Sequence, residues 1–594
     1  MTVRGTVRPR HRSVRRRASP VPATKTDTAV DTIVSTAVSL FYRKNIDRIS
    51  TYKNKRCILV VFHPSCNAFL NVFIAPPRVL TQHSYRPIVK ISLIIKRLIT
   101  SFIDLWSKIC YNIYALEGGV KMANDFENMV TGTIEYKNVL FTFVFDKNEL
   151  RMIPPADKTR DVERWFMTEL SPGVYTMGVR VTMDEPFLVG KCNEGYEIVL
   201  FPVRGHSVGR YNSVLIVEIQ AYAWKKFGCA EIDRIGFQSP ELDCIFSCKK
   251  AIESSSWSET GEYKIETKPF SEITTEKQPF VVDGKDVTVK FGISMTSGGD
   301  HTKPPLSLHT EMYFEFAPTA DYGFVFRLCN VAKEFIRYLC YRENVPFASI
   351  SLSAPDEGGK HIQFAKLYIL TEQDDTEHKC LKDSRFIRQE YIQGFEGKIL
   401  TDIAAGLLYT RNIPPTYKRG RIIDAARFVM ITAAFEWEFR RLYPDGIKKR
   451  QRTIDAENKV EEIIGDLYNQ SKGKLREIYK SLLNNIRFTQ LASKIVHTGK
   501  ELGSIIDIFG KRVYALNDQE LDYSKMGQRL GKQRNNYAHG NLDQDFVGLS
   551  LLDLVYLEMV VYAMQLKYYG ISDINIQRAI NDLFRQHIMI KKAE

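Results

Sequence analysis

Residues 213–220 read Ser-Val-Leu-Ile-Val-Glu-Ile-Gln. Five of the eight are β-branched or apolar, and the run is too short for a buried helix, so it predicts a strand. The same signature recurs at 139–145 (VLFTFVF), 198–203, 287–291, 312–316 (MYFEF) and 364–370. Turn-rich pieces separate these runs, among them Thr296-Ser297-Gly298-Gly299-Asp300 and Asp356-Glu357-Gly358-Gly359. One helix, over 330–341, interrupts the series. Residues 122–380 therefore predict a mainly antiparallel, sandwich-like β domain.

Beyond about residue 380 the apolar period moves from 2 toward 3.6. Helices are expected at 383–408, 421–443, 455–488, 493–514, 518–537, 545–569 and 573–589. Pro444 and Gly570 stand where two of them should stop, and Ser572 is placed to cap the last. The fold class that follows is α+β, with the β domain followed by an all-α helical bundle over 381–594.

Charge divides the chain differently. Of 594 residues, 83 are Lys or Arg and 69 are Asp or Glu, a formal net charge of +14. Residues 1–121 carry 21 of the bases and 5 of the acids, so the remainder is close to neutral and the basic balance says nothing about the body. Arg4, Arg8, Arg10, Arg12 and Arg15 to Arg17 stand among Ser, Thr and Pro, a composition that predicts disorder and also resembles a transit peptide. Glu117-Gly118-Gly119 precedes Met122, and its codons are rich in G and A, as a bacterial ribosome-binding site is. The expectation is that the natural protein starts at Met122, with 1–121 as translated upstream sequence.

No uninterrupted apolar run reaches the roughly 18 residues a membrane-spanning helix needs; the nearest, 89–109, is broken by Lys96, Arg97 and Asp104. The ten cysteines lack paired CxxC spacing, and Cys244 and Cys248 form the only close pair, so no metal and no cofactor is expected. A soluble, cytoplasmic protein with reduced thiols follows.

In the bundle, Gln533-Arg534-Asn535-Asn536-Tyr537-Ala538-His539-Gly540-Asn541 combines a fixed cation, an imidazole and a helix-breaking pair. Arg534 and His539 lie five residues apart, about 140° around an unbroken helix. A helix ending near Ala538 would free His539 to turn back toward Arg534, with Asp543 or Asp545 capping the next helix. Together they suit RNA cleavage by the neighbouring 2′-hydroxyl without metal. An imidazole exchanges protons near neutral pH, and a guanidinium binds two phosphate oxygens of the pentavalent transition state. The products would be a 2′,3′-cyclic phosphate and a 5′-hydroxyl. Asn535 would hold the His or a phosphate oxygen.

Spacing alone is weak evidence. Roughly 0.7 such pairs are expected by chance, and a second, Arg78 to His83, lies in the basic leader with apolar residues after its Arg. An ordinary helix end with Arg and His on the C-terminal carbonyls is the bland alternative. Glu436, in Ala434-Phe435-Glu436-Trp437-Glu438-Phe439, is an acid among aromatic residues; it is either functional or paired with Arg440 one turn on. Lys418, Arg419 and Arg421 are RNA-binding candidates or a solvated basic loop.

Arg534-Asn535-x-x-x-His539, with a polar residue after the Arg and a long apolar helix following, resembles the ribonuclease motif of the HEPN superfamily. A β-rich region ahead of such a domain is similar to the ApeA-like proteins of bacterial abortive-infection defence. The resemblance implies a homodimer through the bundle, with two motifs across one composite site. It further implies an unidentified phage trigger and cleavage of host or phage RNA, including structured RNA such as tRNA. The alternatives are a non-catalytic RNA- or nucleotide-binding protein, and a β-module for protein or carbohydrate recognition above a structural bundle.

Overall fold

A computed structural model describes residues 129–590, apart from 193–194, 212, 227–230, 298–305, 357, 371–374, 488, 541–545 and 547. The basic leader, the proposed start at Met122, the pair Arg78 and His83, and the capping residues Asp543 and Asp545 lie outside the described residues.

Strands come first and helices second, as the change of period predicts. The strands are β1 (Val130–Tyr136), β2 (Val139–Asp146), β3 (Glu149–Ile153), β4 (Met167–Ser171), β5 (Val174–Met177), β6 (Leu188–Cys192), β7 (Tyr196–Pro202), β8 (Gly209–Tyr211) and β9 (Val214–Lys226). They continue as β10 (Ile232–Gln238), β11 (Ile252–Trp257), β12 (Tyr263–Thr267), β13 (Gln278–Val282), β14 (Lys285–Ser297), β15 (Leu306–Thr319), β16 (Ser349–Pro355) and β17 (His361–Ile369). Thirteen form one antiparallel sheet, while β4–β5 and β11–β12 are separate hairpins.

The long strand β9 belongs to two assemblies. Its first half pairs with β3 (Met152↔Leu215 to Glu149↔Glu218) and its second half with β7 (Pro202↔Ile219 to Tyr196↔Lys226). With β2, β1 and β6 between, the ring β9-β3-β2-β1-β6-β7 closes into a barrel. On its other edge β9 meets β17, opening the sheet β9-β17-β16-β10-β15-β14-β13. Ile198 and Leu200 on β7, with Ile219 and Tyr222 on β9, fill the barrel; Val199, Phe201, Ala221 and Ala223 face the second core. Strands buried on both faces read as continuous apolar runs, which is why these were the clearest in the sequence. Two-residue turns at Lys137-Asn138 (φ 48 and 60) and Asp283-Gly284 (φ 50 and 78) join β1 to β2 and β13 to β14, both residues left-handed as tight hairpins demand.

The helices are α1 (Thr159–Arg164), α2 (Pro240–Ile245), α3 (Tyr322–Cys340), α4 (His378–Lys382), α5 (Gln389–Ile392), α6 (Glu396–Ala404) and α7 (Tyr417–Gly420). The bundle continues with α8 (Ala425–Leu442), α9 (Gln451–Gln470), α10 (Gly473–Ile486), α11 (Leu491–Ala515), α12 (Tyr523–Ala538), α13 (Ser550–Tyr568) and α14 (Asp573–Leu583). Helix α3 is buried on most of its circumference because it touches both the sheet and the bundle. Phe326 packs on Phe201 of β7, and Tyr338 stacks on Tyr562 of α13 at 5.2 Å.

Two helices differ from the sequence reading. The stretch expected as one helix over 383–408 holds two short helices, because Gly394 turns left-handed (φ 84) between α5 and α6. The stretch 455–488 is a hairpin, since Gly473 (φ 60) reverses the chain between α9 and α10. None of the residues of α9 or α10 is buried, and Val460, Ile463, Leu467, Leu475, Ile478 and Leu482 are exposed.

Candidate active site on the helical bundle

Helix α8 starts at an N-cap Asp424, whose carboxylate accepts the Arg427 N–H at 2.8 Å, and its register then sets the two acids of the aromatic segment apart. Glu438 points inward, 1% exposed, accepting from the Tyr409 N–H at 3.0 Å, Gln565 Nε2 at 3.2 Å and Arg441 Nη1 at 2.5 Å. Burial holds its carboxyl above the ordinary range, although Arg441 and these hydrogen bonds pull the other way.

Glu436 lies 200° from Glu438 and faces α11 and α12. Arg534 Nη2 on α12 donates to its Oε2 at 2.8 Å, and Lys494 Nζ on α11 to its Oε1 at 3.1 Å. The structure therefore brings together Glu436 and Arg534, two residues singled out for separate reasons. The pairing with Arg440 is not formed; that guanidinium lies over the Trp437 ring at 5.9 Å instead. The carboxylate and Lys494 are each 13% exposed and Arg534 is 33% exposed. Beyond its bond to Glu436, the Arg534 guanidinium makes no hydrogen bond to a described residue, so most of its five donors remain available.

His539 is the C-terminal cap of α12. Its backbone N–H still bonds the Asn535 carbonyl at 3.1 Å, its φ is −91°, and its exposed imidazole makes no hydrogen bond or ion pair to a described residue. The helix ends where expected, but the reversal falls at Gly540 (φ 81), one residue too late to swing His539 back. Arg534 and His539 thus leave one helix about 140° apart and do not converge within a single chain. Asn535 is exposed on the same turn.

Lys418 and Arg419 are exposed on α7. Arg421 follows as its cap, but it lines a cleft at the end of α3, so the three bases do not act as one patch. Lys494 was invisible to spacing, because it stands 58 residues from Glu436 and 40 from Arg534 in the chain. An open groove of about 430 Å³ begins beside it, lined by Ser493, His497 and Lys500 of α11 and by Ser524 and Gln528 of α12.

Among the described residues no cluster of His, Cys, Asp or Glu is arranged to hold a metal ion. None of the described helices is long and apolar enough to cross a membrane. No family model, no curated protein and no solved structure matches this chain.

Proposed function

We propose that the protein is a metal-independent endoribonuclease of antiphage defence. It would act in the cytoplasm on host or phage RNA, with the β-rich part as sensor and the bundle as effector. The observation that carries this reading is Arg534, anchored through one nitrogen by Glu436, with its other donors free, on the same solvent-facing helix end as the unpaired imidazole of His539. An anchored guanidinium is a preorganised phosphate clamp, and an exposed imidazole is available for proton transfer.

Because the two groups diverge around α12, a working site needs two copies, the Arg534 of one facing the partner's His539. The α9–α10 hairpin supports such pairing. Its six exposed Val, Ile and Leu side chains form two stripes at i, i+3, i+7 spacing. Helix α9 carries five acids and two bases, and α10 three bases and one acid. A two-fold axis setting α9 against the partner's α10 would cover the stripes and match the charges.

The rival reading is a non-catalytic RNA-binding protein, in which the Glu436 carboxylate holds Arg534 as a fixed RNA contact and His539 transfers no proton. Incubating the full chain with total RNA in EDTA separates the two. Cleavage leaving 2′,3′-cyclic phosphate ends, lost in Arg534→Ala and in His539→Ala, supports the nuclease. Mixing the two inactive variants should restore about a quarter of the wild-type rate if the site is shared between copies, and none if it lies within one chain. RNA binding without cutting by wild-type protein, after activation by phage infection, would establish the binding reading.

A further inference from the structure

Helix α3 ends at Tyr341, a left-handed residue (φ 51), and the chain then buries Arg342 against the bundle. Arg342 is 1% exposed. Its Nη2 donates to Glu241 Oε1 of α2 at 2.7 Å, its Nε donates to the Asn344 carbonyl at 3.3 Å, and Glu377 lies 3.5 Å away. Its Nη1 has no hydrogen-bond partner among the described residues. A buried guanidinium donor left without an acceptor is costly and uncommon in folded proteins.

That side chain lines a cleft of about 160 Å³. Two further guanidinium groups stand on its wall. Arg385 lies over the Tyr417 ring at 4.4 Å, and its buried Nε, 4.0 Å from Asp383 Oδ2, also has no hydrogen-bond partner among the described residues. Arg421 makes no ion pair with a described residue. Among the described residues the wall offers no unmatched negative charge in return. Its one carboxylate, Glu558, is held by Arg427 Nη2 and by the Tyr341 hydroxyl, both at 2.5 Å. Its thiols are neutral, burial pushing Cys340 up to about 12 and Cys380 to about 11. Leu583 and Phe584 close one side with apolar surface.

We propose that this cleft binds a phosphate group, as the free ion or as a small phosphomonoester, through Arg342, Arg385 and Arg421. Three arginines around a small space match the several acceptor oxygens of a phosphate, and guanidinium groups bind it in bidentate fashion. The space is too small for a nucleic-acid strand, and Lys418 and Arg419, which would extend a strand-binding track, do not line it. The occupant would join the end of α3, which packs on the sheet, to α7, α13 and α14 of the bundle. This inference stands independently of the nuclease reading.

Isothermal titration calorimetry on the full chain tests it, with inorganic phosphate and adenosine monophosphate as probes at matched ionic strength. Saturable binding at one site per chain is expected, weakened about tenfold in Arg421→Ala and partly restored in Arg421→Lys. Arg385→Ala should weaken it comparably. Arg421 is exposed, so its loss should leave the unfolding midpoint in place and keep the comparison free of misfolding. Binding of phosphate but not of the nucleotide would assign the site to the free ion; tighter binding of the nucleotide would assign it to a phosphomonoester. No saturable heat with either probe, or equal affinity in wild type and Arg421→Ala, overturns the proposal.

Discussion

Replacing Glu436 by Gln should loosen α12 in a way that can be worked from the geometry. The carboxylate accepts from Arg534 at 2.8 Å and from Lys494 at 3.1 Å while only 13% exposed. Exposed ion pairs contribute about 0–1 kcal/mol, and breaking a fully buried one costs about 3–5 kcal/mol. A site between these limits places the loss at about 2 kcal/mol. The amide keeps the shape and one acceptor but leaves two cations facing each other across it. Because α12 is held to α8 through this contact, its amides should exchange about 30-fold faster, read by hydrogen–deuterium exchange on peptides covering 523–538. In a double-mutant cycle with Arg534→Gln, the coupling should be about 1 kcal/mol or more, and half-burial should preserve most of it in 1 M NaCl. Unchanged exchange in α12, or strictly additive single and double variants, would refute the idea that Glu436 is what positions Arg534.

Acid should destabilise the β-rich part through Glu315, which Lys277, Lys290 and Arg234 surround. Burial pushes its carboxyl up, but the three cations outweigh that and hold it at about 2 against the ordinary 4.5, so its contribution is complete above about pH 4.5 and is lost as pH falls toward 2. That window holds about 3 kcal/mol, of which about 2 kcal/mol is lost by pH 3, and urea unfolding at pH 6 and pH 3 should show Glu315→Gln losing about that much less on acidification than wild type. Gly527 of α12 lies against α11, where an added Cβ would stand 2.6 Å from Ala492 Cα, so Gly527→Ala should cost about 3 kcal/mol in urea unfolding. Gly531, one turn on, has open space, and Gly531→Ala should stabilise by about 0.5–1 kcal/mol; equal effects at the two positions would contradict the α11–α12 packing.

Local pattern carried the order of strands and helices, and topology escaped it. β7 and β9 announced themselves because both faces are buried, whereas β10, Ile-Asp-Arg-Ile-Gly-Phe-Gln, is interrupted by the consecutive charges Asp233 and Arg234 and did not. Barrel closure rests on pairing Tyr196–Pro202 with the second half of β9, a contact no period can reveal. Gly473 is legible in the sequence as a glycine but not as a left-handed one, so the period alone does not distinguish this hairpin from a single helix. At the candidate site, Arg534 and Glu436 stood out by residue type and context. Their contact, 98 residues apart in the chain, did not, and Lys494 carried no local signal at all.

Helix α8 links the two regions on which the functional argument turns. Near its start Arg427 holds Glu558 on the wall of the arginine-lined cleft; nine residues on, about 13.5 Å along the axis, Glu436 holds Arg534. Between them Phe428, Ile431 and Phe435 are buried in the common core, so the helix cannot bend or slide at one end without repacking at the other. The cleft is walled in part by the end of α3, whose opposite face packs on the sheet. An event that reshapes the sheet or fills the cleft therefore bears on the same rigid rod that positions the guanidinium of α12. On the proposed reading, a sensor joined to an effector by that rod needs no long moving linker, and the exchange rate of α12 amides would be the common readout for phosphate at the cleft and for the state of Arg534.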